Sequence, residues 1–182
     1  MSAGEAVRAA GTADRIGQGQ SAWSIAAGSR QAQGVCDLAD HAAAIELHLS
    51  QLVQLGALDR IEAVEAIGFK AVHGGPISGA VEVDEQVLAT MRQFADVAPA
   101  HNPPYIDAMQ SFRSRLPQVR QVAAFETAFH QTIPLARQIY AIPWEWTQMG
   151  VRRYGFHGAS HRYIATRMQE LDAAFGLTGS RN

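Results

Sequence analysis

Two short apolar segments, set among stretches with helical periodicity, constrain the fold of this chain most strongly. Residues 66–73 and 119–125 each have the length and composition of a buried strand, and each ends beside glycine or an acidic residue. Strands that alternate with amphipathic helices indicate an α/β fold. The sequence predicts helices over 37–55, after Asp84, after Pro103-Pro104 and from Ala159 or Ser160.

The first 35 residues show no sustained period and are rich in Gly, Ala, Ser and Gln. They predict an irregular N-terminal segment over 1–35, followed by a domain over 36–182. The single cysteine, Cys36, has no internal partner, which favours a reducing cytoplasm.

Composition excludes several function classes. The formal net charge of −2 gives no general attraction to nucleic acid. No run of about 18 apolar residues is present, so we expect no membrane-spanning helix.

Three short segments carry residues that suit chemistry. The first is Val72-His73-Gly74-Gly75, where glycines would let backbone N–H groups approach a ligand, although a tight turn with an incidental His is the simpler interpretation of this segment alone. The second begins at Glu126, a carboxylate placed directly after an apolar strand, where open α/β sheets bind ligands. A helix cap or an ordinary loop acid remains the alternative for Glu126.

The third segment, Arg152 to His161, places two guanidinium groups, two imidazoles and two glycines ahead of a helix. These donors favour a phosphate or a carboxylate. His157 and His161 have the spacing of a metal pair, but no H-E-x-x-H pattern accompanies them, so the sequence predicts no metal ligands. The chain also lacks the G-x-x-x-x-G-K-[ST] pattern of P-loop enzymes.

In this order, four segments resemble the acetate kinase (acetate/propionate kinase) family. They are Val72–Gly75, Ala98–Pro104, Ala128–Pro134 and Arg152–His161. The resemblance implies part of the N-terminal, ribonuclease-H-like half of the sugar kinase, actin and Hsp70 superfamily fold. It also implies phosphoryl transfer from ATP, with Mg²⁺, to acetate, propionate or butyrate, giving an acyl phosphate and ADP.

Carried over residue by residue, the resemblance implies two catalytic residues: His157, which would stabilise the transferring phosphoryl group, and Glu126, which stands where the family has Asp. Lys70 stands where the family has an Arg that holds the substrate carboxylate. The remaining substrate-binding positions are Val72, Ala100 and Phe156, which would line an apolar pocket, and His101 beside it.

The substitutions at Lys70 and Glu126 suggest a paired change, because a shorter cation and a longer carboxylate can preserve their meeting point. Ala100, smaller than the family's usual residue, predicts a roomier pocket.

The resemblance further implies that the family's Asn-x-Gly-Ser-Ser-Ser loop and its second, nucleotide-binding half lie outside 1–182. We therefore expect most of the ATP and Mg²⁺ site to be missing and the isolated chain to be inactive. The alternatives are a catalytically dead carboxylate- or phosphate-binding or interaction module, and one half of a split enzyme. A homodimer or a complementing half is the protein partner that these alternatives imply.

Overall fold

A computed structural model describes residues 6–175, with side chains described up to residue 172. The chain divides into two compact units. The first unit consists of Met1–Ile67 and Pro104–Gln121, and the second of Gly68–Pro103 and Val122–Asn182. The division into an N-terminal segment over 1–35 and a domain over 36–182 stays a prediction.

The first unit begins with an antiparallel sheet of three strands in the order β1-β2-β3. The strands are β1 (Ala10–Ala13), β2 (Ser21–Ala27) and β3 (Arg30–Cys36). Ala27 pairs with Arg30, so Gly28 and Ser29 form a two-residue hairpin loop, and Gly28 has the positive φ of 60° that such loops use.

The prediction of an irregular segment over 1–35 is therefore wrong from Ala10 onward. In β2 the buried residues Ser21, Ile25 and Ala27 occupy alternate positions, as expected for a strand with one covered face. Small residues fill most of that face, so its period of two hardly registers as a hydropathy signal.

The helix α1 (His41–Gln54) follows this sheet in the first unit. The Asp40 carboxylate accepts a 2.8 Å hydrogen bond from the Ala43 backbone N–H, which starts the helix later than the sequence predicts. Gly56, with φ of 66°, follows its end. Leu49 packs in an apolar cluster whose other buried members are Leu116 and Val119.

The second sheet has the order β4-β6-β5, with β4 (Ala66–Ala71), β5 (Ala80–Glu82) and β6 (Arg120–Phe125). Strand β5 pairs antiparallel with β6, and Ala80 lies opposite Ala124. The predicted strands at 66–73 and 119–125 are confirmed as β4 and β6, whereas the three residues of β5 are too few to show a period.

The helices after Asp84 and at Pro103-Pro104 are confirmed. Asp84 accepts a 2.8 Å hydrogen bond from the Val87 N–H and caps α2 (Glu85–Gln93). Both prolines lie in the first turn of α3 (Asn102–Arg115), where the missing N–H groups cost little. The remaining helices are α4 (Leu135–Gln138), α5 (Trp144–Gln148) and α6 (Gly158–Phe175), and 3₁₀ turns form at Ile61–Ala63, Ala95–Val97 and Glu126–His130.

Within the described part of the chain, no helix combines the length and the apolar character needed to cross a membrane.

Candidate functional site

The ends of two neighbouring strands bring Lys70 and Glu126 together. Lys70 is the penultimate residue of β4, and Glu126 follows the last residue of β6. The Lys70 Nζ atom lies 2.8 Å from Glu126 Oε1. The Glu126 side chain is only 6% exposed, whereas that of Lys70 is 63% exposed.

This contact has the geometry that the paired-change hypothesis requires. A lysine is shorter than an arginine, and a glutamate is longer than an aspartate by one methylene, and here the two charges meet. A buried carboxylate is retained in proteins when a cation or hydrogen-bond donors compensate it. The contact therefore joins a buried carboxylate, compensated by a cation, to a lysine side chain that is largely exposed.

The segment that begins α6 packs against the turn that contains Glu126. A Cβ atom at Gly158 would overlap the Glu126 carbonyl oxygen, so only glycine permits this approach. The His130 ring donates a 2.8 Å hydrogen bond from Nε2 to the Phe156 carbonyl oxygen. Together these contacts hold the backbone of residues 156–158 beside the Glu126–His130 turn.

His157 occupies an unusual backbone conformation at this junction. Its φ is 57°, in the left-handed region that side chains other than glycine rarely adopt. Its carbonyl oxygen accepts the 3.0 Å hydrogen bond of the His161 N–H, so the strained residue starts α6. Such strain persists where surrounding contacts fix the backbone, and it is concentrated at functional sites. The imidazole is exposed to solvent.

His73 is fully buried within an aromatic cluster. From the sequence, its segment is most simply interpreted as a tight turn. The ring centroid of His73 lies 5.0 Å from that of Phe94, 4.6 Å from Tyr154 and 5.7 Å from Phe156. Burial lowers the pKa of His73 below the ordinary 6.5, and the positive charge of Arg152 lowers it further.

The neutral ring of His73 has an assigned tautomer. Nδ1 accepts a 3.2 Å hydrogen bond from the Gly75 N–H, so the ring proton lies on Nε2. Nε2 is buried without a hydrogen-bond partner among the described residues.

Asn102 is a positioning residue that sequence reasoning missed. Its fully buried Nδ2 donates two 2.9 Å hydrogen bonds, one to the His73 carbonyl oxygen and one to that of Met91. They tie the start of α3 to the residues after β4. An amide directly before two prolines at a helix start was the available signal.

The structure brings together only some residues of the predicted substrate pocket. Val72 is buried, and the next residue, His73, contacts the Phe156 ring. Ala100 and His101 are exposed in the turn anchored by Asn102. The shared apolar pocket of Val72, Ala100 and Phe156, and the role of His101 beside it, stay predictions.

Two cavities flank the Glu126–His130 turn, and Glu126 lines one of them together with Lys70. This first cavity has a volume of about 510 Å³. Its other lining residues are Gly79, Ala80, Ala124, Phe125, Ala128, Phe129, Gly158, Ala159 and Arg162. The second cavity is smaller, about 230 Å³, and is lined by Thr127 and two arginines.

The described residues form no metal site from protein side chains alone. Mg²⁺ takes six oxygen ligands in near-octahedral geometry, usually including carboxylates and waters. No group of three or more His, Cys, Asp or Glu side chains within the described range is placed to hold a metal ion. The one buried carboxylate at the site, Glu126, is engaged by Lys70.

Comparison with known proteins identifies the family of this chain. The profile of the Acetokinase family matches residues 1–174. The chain belongs to the acetokinase family. The acetate kinase of Shouchella clausii (strain KSM-K16) is 40% identical over 169 residues, and that of Bacillus subtilis (strain 168) is 36% identical over the same length. Each match covers 92% of this chain and 43% of the relative.

Solved structures of the family share the fold. The Porphyromonas gingivalis acetate kinase superposes with a TM-score of 0.82 at 34% identity, covering 94% of this chain and 44% of that one. A propionate kinase from Francisella tularensis gives 0.80 at 30% identity, covering 90% and 42%. The α/β fold is thus that of the N-terminal part of acetate kinases, within the sugar kinase, actin and Hsp70 superfamily. The chain spans less than half the length of these relatives.

Proposed function

We propose that this chain carries the carboxylate- and acyl-phosphate-binding part of an acetate-kinase-type phosphotransferase site. The 2.8 Å contact of Lys70 with buried Glu126 carries the proposal. The close approach of Gly158 to Glu126, which brings the neighbouring His157 to the same turn, supports it. The substrates would be acetate, propionate or butyrate, and the corresponding acyl phosphates, in the cytoplasm.

Lys70, Glu126 and His157 have different roles in this site. The exposed Lys70 ammonium group attracts the carboxylate of the substrate, and Glu126 fixes the position of that cation. His157 donates a hydrogen bond to an oxygen of the phosphoryl group. Its strained backbone fixes the position from which the imidazole side chain extends. Val72, Ala100, His101 and Phe156 complete the substrate pocket, and the small side chain of Ala100 leaves room for propionate and butyrate.

The isolated chain is expected to bind these ligands without turning them over. Phosphoryl transfer depends on positioning and on compensating the charge of the phosphates, for which this family uses Mg²⁺ and ATP. Within the described range, no group of three or more His, Cys, Asp or Glu side chains is placed to hold a metal ion.

Two assays on the purified chain test the proposal. Calorimetry should detect acetyl phosphate binding by the wild type, with a loss of affinity of about tenfold or more in His157→Ala. An assay of hydroxamate formation from acetate, propionate and butyrate, with ATP and Mg²⁺, should give no product. Binding that is unchanged in His157→Ala would contradict the proposed role of this residue, and turnover that His157→Ala abolishes would contradict the expected inactivity.

A second candidate function is that of an interaction module or one half of a split enzyme. The observation that favours it is the apolar character of α6, where Tyr163, Ile164 and Met168 are 68%, 57% and 55% exposed. Exposed apolar patches of this kind mark contact surfaces. Size-exclusion chromatography with light scattering distinguishes a self-associating chain from a monomer, and Ile164→Glu should reduce any association.

A further inference from the structure

The second cavity beside the Glu126–His130 turn has the residues of an anion site. It measures about 230 Å³ and lies wholly within the second unit. Its lining combines two guanidinium groups, an imidazole, two aliphatic hydroxyls and the phenol of Tyr154, and it contains no carboxylate. The lining residues are Gly75, Pro76, Ser78, Thr127, His130, Gln131, Gln138, Arg152, Arg153 and Tyr154.

The two guanidinium groups are held in place without being neutralised. Arg152 donates a 2.6 Å hydrogen bond from Nη1 to Gln138 Oε1 and lies 4.5 Å above the Tyr154 ring. Arg153 donates a 2.8 Å hydrogen bond from Nη1 to the Arg137 carbonyl oxygen. All these partners are uncharged, so both positive charges remain available to a ligand.

Two hydroxyl groups in the cavity wall lack partners. Thr127 is only 5% exposed, and neither its Oγ1 nor the Oγ of Ser78 has a hydrogen-bond partner within the described structure. Buried polar groups nearly always have a partner, which can be a bound ligand. These hydroxyls can each donate one hydrogen bond to an oxyanion.

We propose that this cavity binds a phosphate-class oxyanion: inorganic phosphate, or the phosphate group of a small phosphorylated metabolite. Two cations and two hydroxyl donors suit the several oxygens of a tetrahedral oxyanion better than a planar carboxylate. This site is distinct from the Lys70–Glu126 site, because consecutive residues of one turn face different cavities. Glu126 lines the first cavity, and Thr127 lines the second.

Inorganic phosphate titrated into the ¹⁵N-labelled chain tests the proposal by NMR. Phosphate should shift the amide signals of Gly75 and Tyr154, whereas acetate at the same ionic strength should leave them in place. Arg152→Gln should weaken phosphate binding about tenfold or more, since it removes a charge-assisted donor. The matched control is Arg92→Gln, which removes an exposed arginine of α2 outside both cavities.

Thr127→Val and Thr127→Ser provide a second test that does not alter charge. Valine keeps the shape and removes the hydroxyl, so affinity should fall, while serine should retain most of it. Unchanged affinity in both Arg152→Gln and Thr127→Val would overturn the proposal. So would phosphate-induced shifts at Lys70 and Gly79 that Lys70→Met abolishes, because phosphate would then occupy the first cavity. If Lys70→Met still binds phosphate, the second cavity binds this ion whether or not the function proposed for Lys70 is correct.

Discussion

Each unit contains an ion pair between residues that are distant in the sequence, and these two pairs differ in burial rather than in length. In the first unit Arg115 Nε lies 2.6 Å from Glu46 Oε2, and both side chains are exposed, at 39% and 55%. In the second unit Lys70 Nζ lies 2.8 Å from Glu126 Oε1, and the carboxylate is 6% exposed. Exposed pairs contribute little to stability, whereas a buried carboxylate depends on its cation. Burial of one partner, not distance, therefore distinguishes the candidate site.

Unpartnered polar atoms show the same contrast. Among the described residues, those of His73, Ser78, Asn102, Thr127 and Thr147 lie in the second unit, and only Gln121 Oε1 lies in the first. The first unit contains the apolar cluster around Leu49. Proteins depart from full polar satisfaction mainly at functional sites, so the contrast favours the second unit as the binding unit.

The largest expected effect comes from breaking each ion pair in turn. Lys70→Met leaves the buried Glu126 carboxylate without its cation and should lower the free energy of unfolding by about 1–3 kcal/mol. Arg115→Met should change it little, because both partners of that pair are exposed. Urea denaturation of the two variants measures the difference. Equal losses would contradict the distinction between the pairs.

Restoring the family residues tests whether Lys70 and Glu126 act as a pair. Lys70→Arg and Glu126→Asp should each weaken acetyl phosphate binding, and the double variant should recover part of the loss. We expect a coupling free energy of about 0.5–3 kcal/mol, as for residues in direct contact. Calorimetric affinities of the four proteins give this value. Strictly additive effects would show that the two substitutions are independent.

Acid should destabilise the chain through His73. Its pKa is lowered in the folded state, so below about pH 6.5 the unfolded chain binds the proton more readily and folding stability falls. The slope contributed by one such group is at most about 1.4 kcal/mol per pH unit. In denaturation curves from pH 7.5 to 5.0, His73→Gln should flatten this dependence, while His41→Gln serves as the control in the first unit. An unaltered slope in His73→Gln would rule out His73 as its source.

The smallest effect concerns the strained residue His157. His157→Gly should raise the free energy of unfolding by about 1 kcal/mol, because glycine adopts a φ of 57° without steric cost. The same change should abolish the contribution of the imidazole to acyl phosphate binding. Thermal melts and calorimetry measure the two quantities. A loss of stability would mean that the imidazole supports the fold rather than a ligand.

Sequence reasoning identified the elements whose ends carry strong local signals. The Asp84 cap of α2 and the prolines of α3 specify helix starts through backbone hydrogen bonds alone. The strands β1–β3 were missed because β1 and β3 contain no buried residue, and two of the three buried residues of β2, Ser21 and Ala27, are small.

The candidate site was predictable only in part. The family resemblance named Lys70, Glu126 and His157, but only three-dimensional packing shows that the Glu126 carboxylate is buried against Lys70. The rings around His73 and the two carbonyl oxygens that accept from Asn102 belong to residues distant in the sequence, so no local pattern identifies these partners.

The central claim is that the Lys70–Glu126 site and His157 bind one acyl phosphate. The most direct measurement is an NMR titration of the ¹⁵N-labelled chain with acetyl phosphate, repeated on His157→Asn, whose shorter side chain tolerates the left-handed backbone. We predict shifts at Lys70 and Gly158 in the wild type, and much weaker ones in the variant at the same concentration. Equal shifts in both proteins would contradict the account. So would shifts confined to residues outside the first cavity, which Lys70, Glu126 and Gly158 line.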